Sequence, residues 1–169
     1  QYMKAHICDV LNINYSEFRD QVEYFALRWG YSGLVMTNYN FGVLDFPNLV
    51  SLDVGSERTT YGMLAKAVIG TTDIHGKFPK VKSFAFKQNQ YSADLDFHIP
   101  DIMQLAMSNY DSGNILLPAD YDRILIELDS VKTNTGGAIV LRGGANRTAA
   151  SNAAVASLTA KGMTLTLSP

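Results

Sequence analysis

His6 and Cys8 stand two apart on a stretch that reads as a strand, which would bring both side chains to one face. An imidazole beside a thiol is the beginning of a nucleophilic site. Such a site also needs an orienting group and an oxyanion donor, and no motif near these residues supplies either. Cys8, set in Ile7-Cys8-Asp9-Val10, reads instead as a buried structural thiol. Asp73 with His75, and Asp94 and Asp96 with His98, have spacings that could start a metal site. They sit beside glycine or proline in loops, where Asp and His serve as turn formers. Asp94, Asp96 and His98 also supply the acid-base residues of the one enzymatic alternative, a hydrolase. Gly136-Gly137 and Gly143-Gly144 lack the lysine of a phosphate-binding loop and the spacing of a dinucleotide fingerprint, so both read as tight turns. The expectation is a chain that is not an enzyme, with no cofactor and no metal.

Tyrosines give the better sign of binding. Tyr31, Tyr39, Tyr91, Tyr110 and Tyr121 recur in loops or at strand margins beside Asn, Asp and Ser. A phenol ring offers contact area and its hydroxyl a hydrogen bond, which suits protein or glycan recognition. The candidate binding residues are therefore Tyr39, Asn40, Tyr91, Asn109, Tyr110 and Tyr121. The plainer reading is that these rings cover the ends of a narrow core. Asn14-Tyr15-Ser16 and Asn146-Arg147-Thr148 match the glycosylation sequon, a pattern short enough to arise by chance.

Composition narrows the partners. At 169 residues and 47% hydrophobic content the chain can close one core, which predicts a single domain. A net charge of -2 offers no basic face for nucleic acid. No apolar run approaches the ~20 residues of a membrane helix, and the N-terminus lacks a signal-peptide layout, so no membrane insertion is expected. The start at Gln1 reads as a processed product, an excised fragment or a leftover tag, with room for an upstream targeting segment. A lone cysteine rules out an internal disulfide and a thiolate cluster.

The elements that would carry these residues follow a repeated grammar. Phe46-Pro47-Asn48-Leu49-Val50-Ser51-Leu52-Asp53-Val54 is echoed by Phe78 to Phe86 and by Ile99 to Met107. Each unit runs bulky apolar, Pro, any residue, apolar, two residues, then apolar-x-apolar. A proline-bounded entry thus feeds a strand with one apolar face. Strands recurring every ~20 to 30 residues make a solenoid. Further apolar-x-apolar pairs are Leu11/Ile13, Leu34/Met36, Ile126/Leu128, Ile139/Leu141 and Leu165/Leu167. The first strand is expected from Ala5 to Ile13, and a short helix over Tyr61 to Ile69. The closeness of Ile126/Leu128 to Ile139/Leu141 leaves open a hairpin across Asn134-Thr135-Gly136-Gly137.

Two helices frame the repeats. Phe18, Val22, Phe25 and Trp29 form one stripe, with Ser16 as N-cap and Gly30 as stop, which predicts an amphipathic helix. Near the C-terminus, Thr148 or Ser151 caps a helix through Ala153, Ala154, Val155, Leu158 and Ala160. Gly162 ends it, and Met163 to Leu167 alternates as a strand. Nothing polar follows to cap that last strand, so Met163, Leu165 and Leu167 are read as an edge that either pairs with a second copy or is blunted by its shortness and Pro169. Residues 1–33 form the strand and capping helix, 34–144 the irregular repeats, and 145–169 the closing helix and strand.

The units Phe46 to Val54, Phe78 to Phe86 and Ile99 to Met107 resemble irregular leucine-rich repeats of bacterial surface proteins. The ending Asn146 to Ala154 with Lys161 to Leu167 is similar to terminal repeat units of bacterial surface and phage virion (tail or fibre) proteins. The asparagine of the family's ladder is not reproduced: Asn89 and Asn109 lie near its place, while Gly55 and Ser56 occupy it in the first unit. The resemblance implies an α/β, irregular leucine-rich-repeat-like solenoid with a mainly parallel β-sheet and short helices. It further implies a non-enzymatic binding or structural module, extracellular or on a virion surface, that contacts protein or glycan and forms a homo-oligomer. An intracellular repeat scaffold is the alternative of the same class.

Overall fold

The computed structural model describes residues 2–7, 19–29, 37–40, 46–55, 66–68, 78–87, 99, 101–108, 117–142 and 146–168. Within each repeated unit the bulky residue's carbonyl closes a turn on the apolar residue three positions later. Leu49 N–H donates to Phe46 O (3.1 Å), Val81 N–H to Phe78 O (3.0 Å) and Ile102 N–H to Ile99 O (3.3 Å). Pro47 and Pro79 stand second in their turns, where the ring's fixed φ is already correct.

Strands follow these turns. β1 is Tyr2–Ile7, β2 Tyr24–Trp29, β3 Thr37–Asn40, β4 Ser51–Gly55, β5 Lys66–Val68, β6 Ser83–Lys87 and β7 Gln104–Ser108. Helix α1 (Pro118–Val131) leads to β8 (Ala138–Arg142), and helix α2 (Asn152–Ala160) to β9 (Thr164–Ser168). The main sheet is all parallel, in the order β1-β2-β4-β6-β7-β8-β9, while β3 and β5 pair with each other. Its register runs without a slip: Phe25, Leu52, Phe84, Leu105, Ile139 and Leu165 stand opposite one another in succession.

The ladder begins one residue before each strand. Glu23 O accepts from both Val50 and Ser51 N–H, Val50 O from Lys82 and Ser83, and Lys82 O from Met103 and Gln104. Ala138 N–H then donates to Met103 O (2.8 Å) and Thr164 N–H to Gly137 O (2.8 Å). Inside, the repeated apolar positions stack in files. Phe46, Phe78 and Ile99 form one, Val22, Leu49, Val81 and Ile102 another, and all are buried in a single cluster. The ring of Phe46 lies 5.4 Å from Phe25 and 6.5 Å from Phe78, centroid to centroid.

Three expectations need correction. The amphipathic helix proposed from Ser16 is a 3-10 turn at Arg19–Gln21 followed by β2. Val22 and Phe25, read as a helical stripe, occupy the places that Leu49 and Leu52 hold one unit later, and pairing with β4 overrides local preference. Lys66–Val68, placed in a short helix, is strand β5. Ile126/Leu128 is no strand pair and the hairpin does not form, because Ile124 to Leu128 belongs to α1. Tyr121, Ile124, Leu125 and Leu128 make its buried stripe, whereas Ile126 is 45% exposed. The first strand, expected over Ala5 to Ile13, is described as Tyr2–Ile7, and residues 8–13 lie outside the described set, as do Leu34 to Met36.

The closing unit follows expectation. Gly162, at φ +79°, ends α2, with Met163 N–H bonded to Leu158 O (3.0 Å). Gly136 and Gly137 both have positive φ, as turn residues should, although the turn joins a helix to a parallel strand.

Candidate functional site

Asp122 lies on α1 beside Tyr121 and is only 6% exposed. A carboxylate so buried must be paired or hydrogen-bonded, and here the donors come from the segment that starts α2. Thr148 N–H donates to Oδ1 (3.0 Å) and Oδ2 (3.2 Å), and the hydroxyls of Thr148 and Ser151 donate one to each oxygen. Burial alone would push the Asp122 carboxyl upward. The bonds from Ser151 and Thr148, with the charge of Arg147, outweigh it and hold the group below the usual carboxylate range. Thr148 in turn caps the 3-10 turn at Ala149–Ser151, accepting from Ala150 N–H (3.1 Å).

Arg147 is clamped over this network. Its Nη1 donates to Asn152 Oδ1 (2.6 Å), Thr148 O (3.1 Å) and Ser151 Oγ (3.3 Å). Beside it opens a cleft of about 350 Å³ lined by Tyr121, Asn146, Arg147, Thr148, Asn152 and Leu167. Tyr121 is 2% exposed and presents little more than an edge; burial raises its phenol pKa. Ser151 faces a carboxylate, but it is fully buried and that carboxylate is a weakened base, so the pair holds two helices together and is not built to attack a substrate.

A second surface is the outer face of the sheet. Along each strand the buried residues alternate with Ser51 and Asp53, Ser83 and Ala85, Gln104 and Ala106, Ala138 and Val140, and Thr164 and Thr166. Apart from the exposed Gln104 these are small or short side chains, exposed or half-buried, in straight rows across five strands. At the turn end, side chains link neighbouring units. Asn48 Nδ2 donates to Asp20 O (2.8 Å), Lys80 Nζ to Asn48 Oδ1 (2.6 Å), and Asn134 Nδ2 to Asp101 Oδ1. Lys132, 4% exposed, donates from Nζ to Ile102 O (2.7 Å). Burial lowers its pKa, Asp101 partly offsets this, and Lys161 adds to the lowering. Lys161 pairs with Asp129 (2.8 Å).

The residues singled out from sequence are scattered. Tyr39 and Asn40 fall on β3, but their side chains lie outside the described residues. Cys8, Asp73, His75, Tyr91, Asp94, Asp96, His98, Asn109 and Tyr110 lie outside them altogether, and His6 is on β1 in register with Arg28. Tyr121 is helical and lines the cleft. Met163 is buried in the core, Leu165 and Leu167 pack half-buried against it, and β9 is the last strand in the sheet order.

Asp122 is not marked in the sequence, because Ile124 to Leu128 reads as a strand there and hides the helix that carries it. Arg147 stands in the sequence as the middle of a sequon and within the ending Asn146 to Ala154, with nothing to mark it as a ligand residue. The capping role of Thr148 was the available signal.

Among the described residues no group of three or more His, Cys, Asp or Glu side chains could hold a metal ion, and no helix is long and apolar enough to cross a membrane. Comparison of the chain with protein-family models, with curated proteins and with solved structures finds no match.

Proposed function

We propose that the chain is an irregular leucine-rich-repeat-like solenoid acting as a non-enzymatic binding or structural module of a phage virion (tail or fibre) or bacterial surface assembly, in contact with protein or glycan. The sheet carries this reading: its strands pair in parallel without a register slip, and among the described strands only β3 and β5 leave the sequential order. A stack of that kind has one long face of short polar and small side chains, which suits an extended partner better than a small substrate. The same stack favours assembly, since among the described strands β9 is last in the order and pairs with β8 alone.

The test is a screen of the purified chain against cell-surface glycans and whole bacterial surfaces, run beside assays for glycan hydrolysis. Saturable binding without release of products supports the module. Turnover of a bound glycan would replace it with the hydrolase built on Asp94, Asp96 and His98.

A further inference from the structure

We propose that the cleft beside Arg147 takes a carboxylate-bearing sugar unit of the uronic acid class, with Arg147 as its anion ligand. This rests on the binding-module reading and names a ligand for one site within it. A guanidinium carries a planar set of N–H donors, and its edge matches a carboxylate in fork geometry. The bonds from Nη1 to Asn152, Thr148 and Ser151 fix the plane of the Arg147 group. Its Nη2 and Nε donors have no acceptor among the described residues. A donor edge held in place before the ligand arrives loses little freedom on binding.

Asp122 does not compete for that edge, because its oxygens are taken up by Thr148 and Ser151. It does offset the charge of Arg147. Selectivity therefore comes from the shape of the fork, and affinity for a single sugar is modest. Asn146 and the amide nitrogen of Asn152 add groups that can bond ring hydroxyls, while Leu167 supplies an apolar patch for the C–H face of a sugar. A cleft of about 350 Å³ holds one ring and its carboxylate better than an extended acidic peptide.

Ligand-observed NMR with glucuronate, glucose and a short Glu-rich peptide tests the assignment on the intact chain, on Arg147→Lys and on Asn146→Ala. Asn146 is exposed and has no hydrogen bond among the described residues, so its replacement leaves the fold in place. The expected result is that glucuronate binds about tenfold or more tightly than glucose, and that each variant weakens glucuronate by at least several-fold, with unfolding midpoints checked in parallel. Equal binding of the two sugars, glucuronate binding unchanged in both variants, or binding of the peptide alone would overturn it. If the variants keep full binding to a surface glycan found by screening, the cleft fails while the module reading stands. A chain that binds neither sugars nor surfaces ends both.

Discussion

Asp122 joins two helices through one carboxylate, and its removal would leave three donors without their acceptor, the Ser151 hydroxyl among them fully buried. Asp122→Ala is expected to cost about 3 kcal/mol in urea unfolding, because the N–H of Thr148 and two hydroxyls lose their acceptor. The sign of its pH dependence follows from its lowered pKa. Above the unfolded value of 3.8 its stabilisation is fully present, and it is lost as pH falls through the still lower folded value. Asp129, also held low against burial by Lys161 and Ser157, steepens the same acid limb. Urea midpoints measured from about pH 6 down to about pH 2 should fall, and Asp122→Asn should flatten that fall. An unchanged acid limb in the variant would sink the assignment.

The two glycines before β8 offer a sharper contrast. A Cβ on Gly137 (φ +117°) would lie 2.4 Å from Met103 O, so Gly137→Ala must displace the β7–β8 pairing and is expected to cost more than about 2 kcal/mol. Gly136 (φ +81°) has open space, and Gly136→Ala should cost only about 1 kcal/mol for the left-handed backbone. Equal losses in thermal unfolding would contradict the close approach at Gly137.

At the level of elements, the turn and strand of each unit act as one piece. Phe46 is buried between Phe25 and Phe78, so Phe46→Ala should cost about 3 to 5 kcal/mol, whereas Asn48→Ala, at the exposed turn end, should cost under about 1 kcal/mol. Chemical denaturation of the two variants checks the ranking. The three proline-led units were legible because Pro and the spaced apolar residues say the same thing: where the turn is and which face goes inward. The closing helix was legible for the same reason, with Thr148 at its start and Gly162 at its end. β2 was not, since Val22 and Phe25 satisfy both a helical stripe and the repeat unit, and no proline precedes them to decide. α1 was hidden because Ile124-Leu125-Ile126-Glu127-Leu128 also alternates as a strand would, and only the pairing of β7 directly with β8 excludes that. Of the cleft, Tyr121 and the caps were visible in sequence. The Arg147 clamp was not, because it depends on a buried Asp from a distant helix.

Among the described residues the main sheet is a row of parallel strands with β1 at one end of the order and β9 at the other. Backbone groups on such an edge seek a partner, so light scattering across a range of concentrations should find a discrete oligomer, and a strict monomer at the highest concentration would count against the assembly reading. The proposed function depends most on the sheet face as the contact surface. Ala106 sits half-buried in its middle row, between Ala85 and Val140. Arginine there is expected to carry its charge out to solvent, with a stability change under about 1 kcal/mol, and to stand up from the small side chains of its row. The decisive measurement is the binding isotherm of the native chain and of Ala106→Arg for a surface ligand found by screening. Loss of about tenfold or more in affinity, with an unchanged unfolding midpoint, is the predicted result; full affinity in the variant would contradict the claim that this face makes the contact.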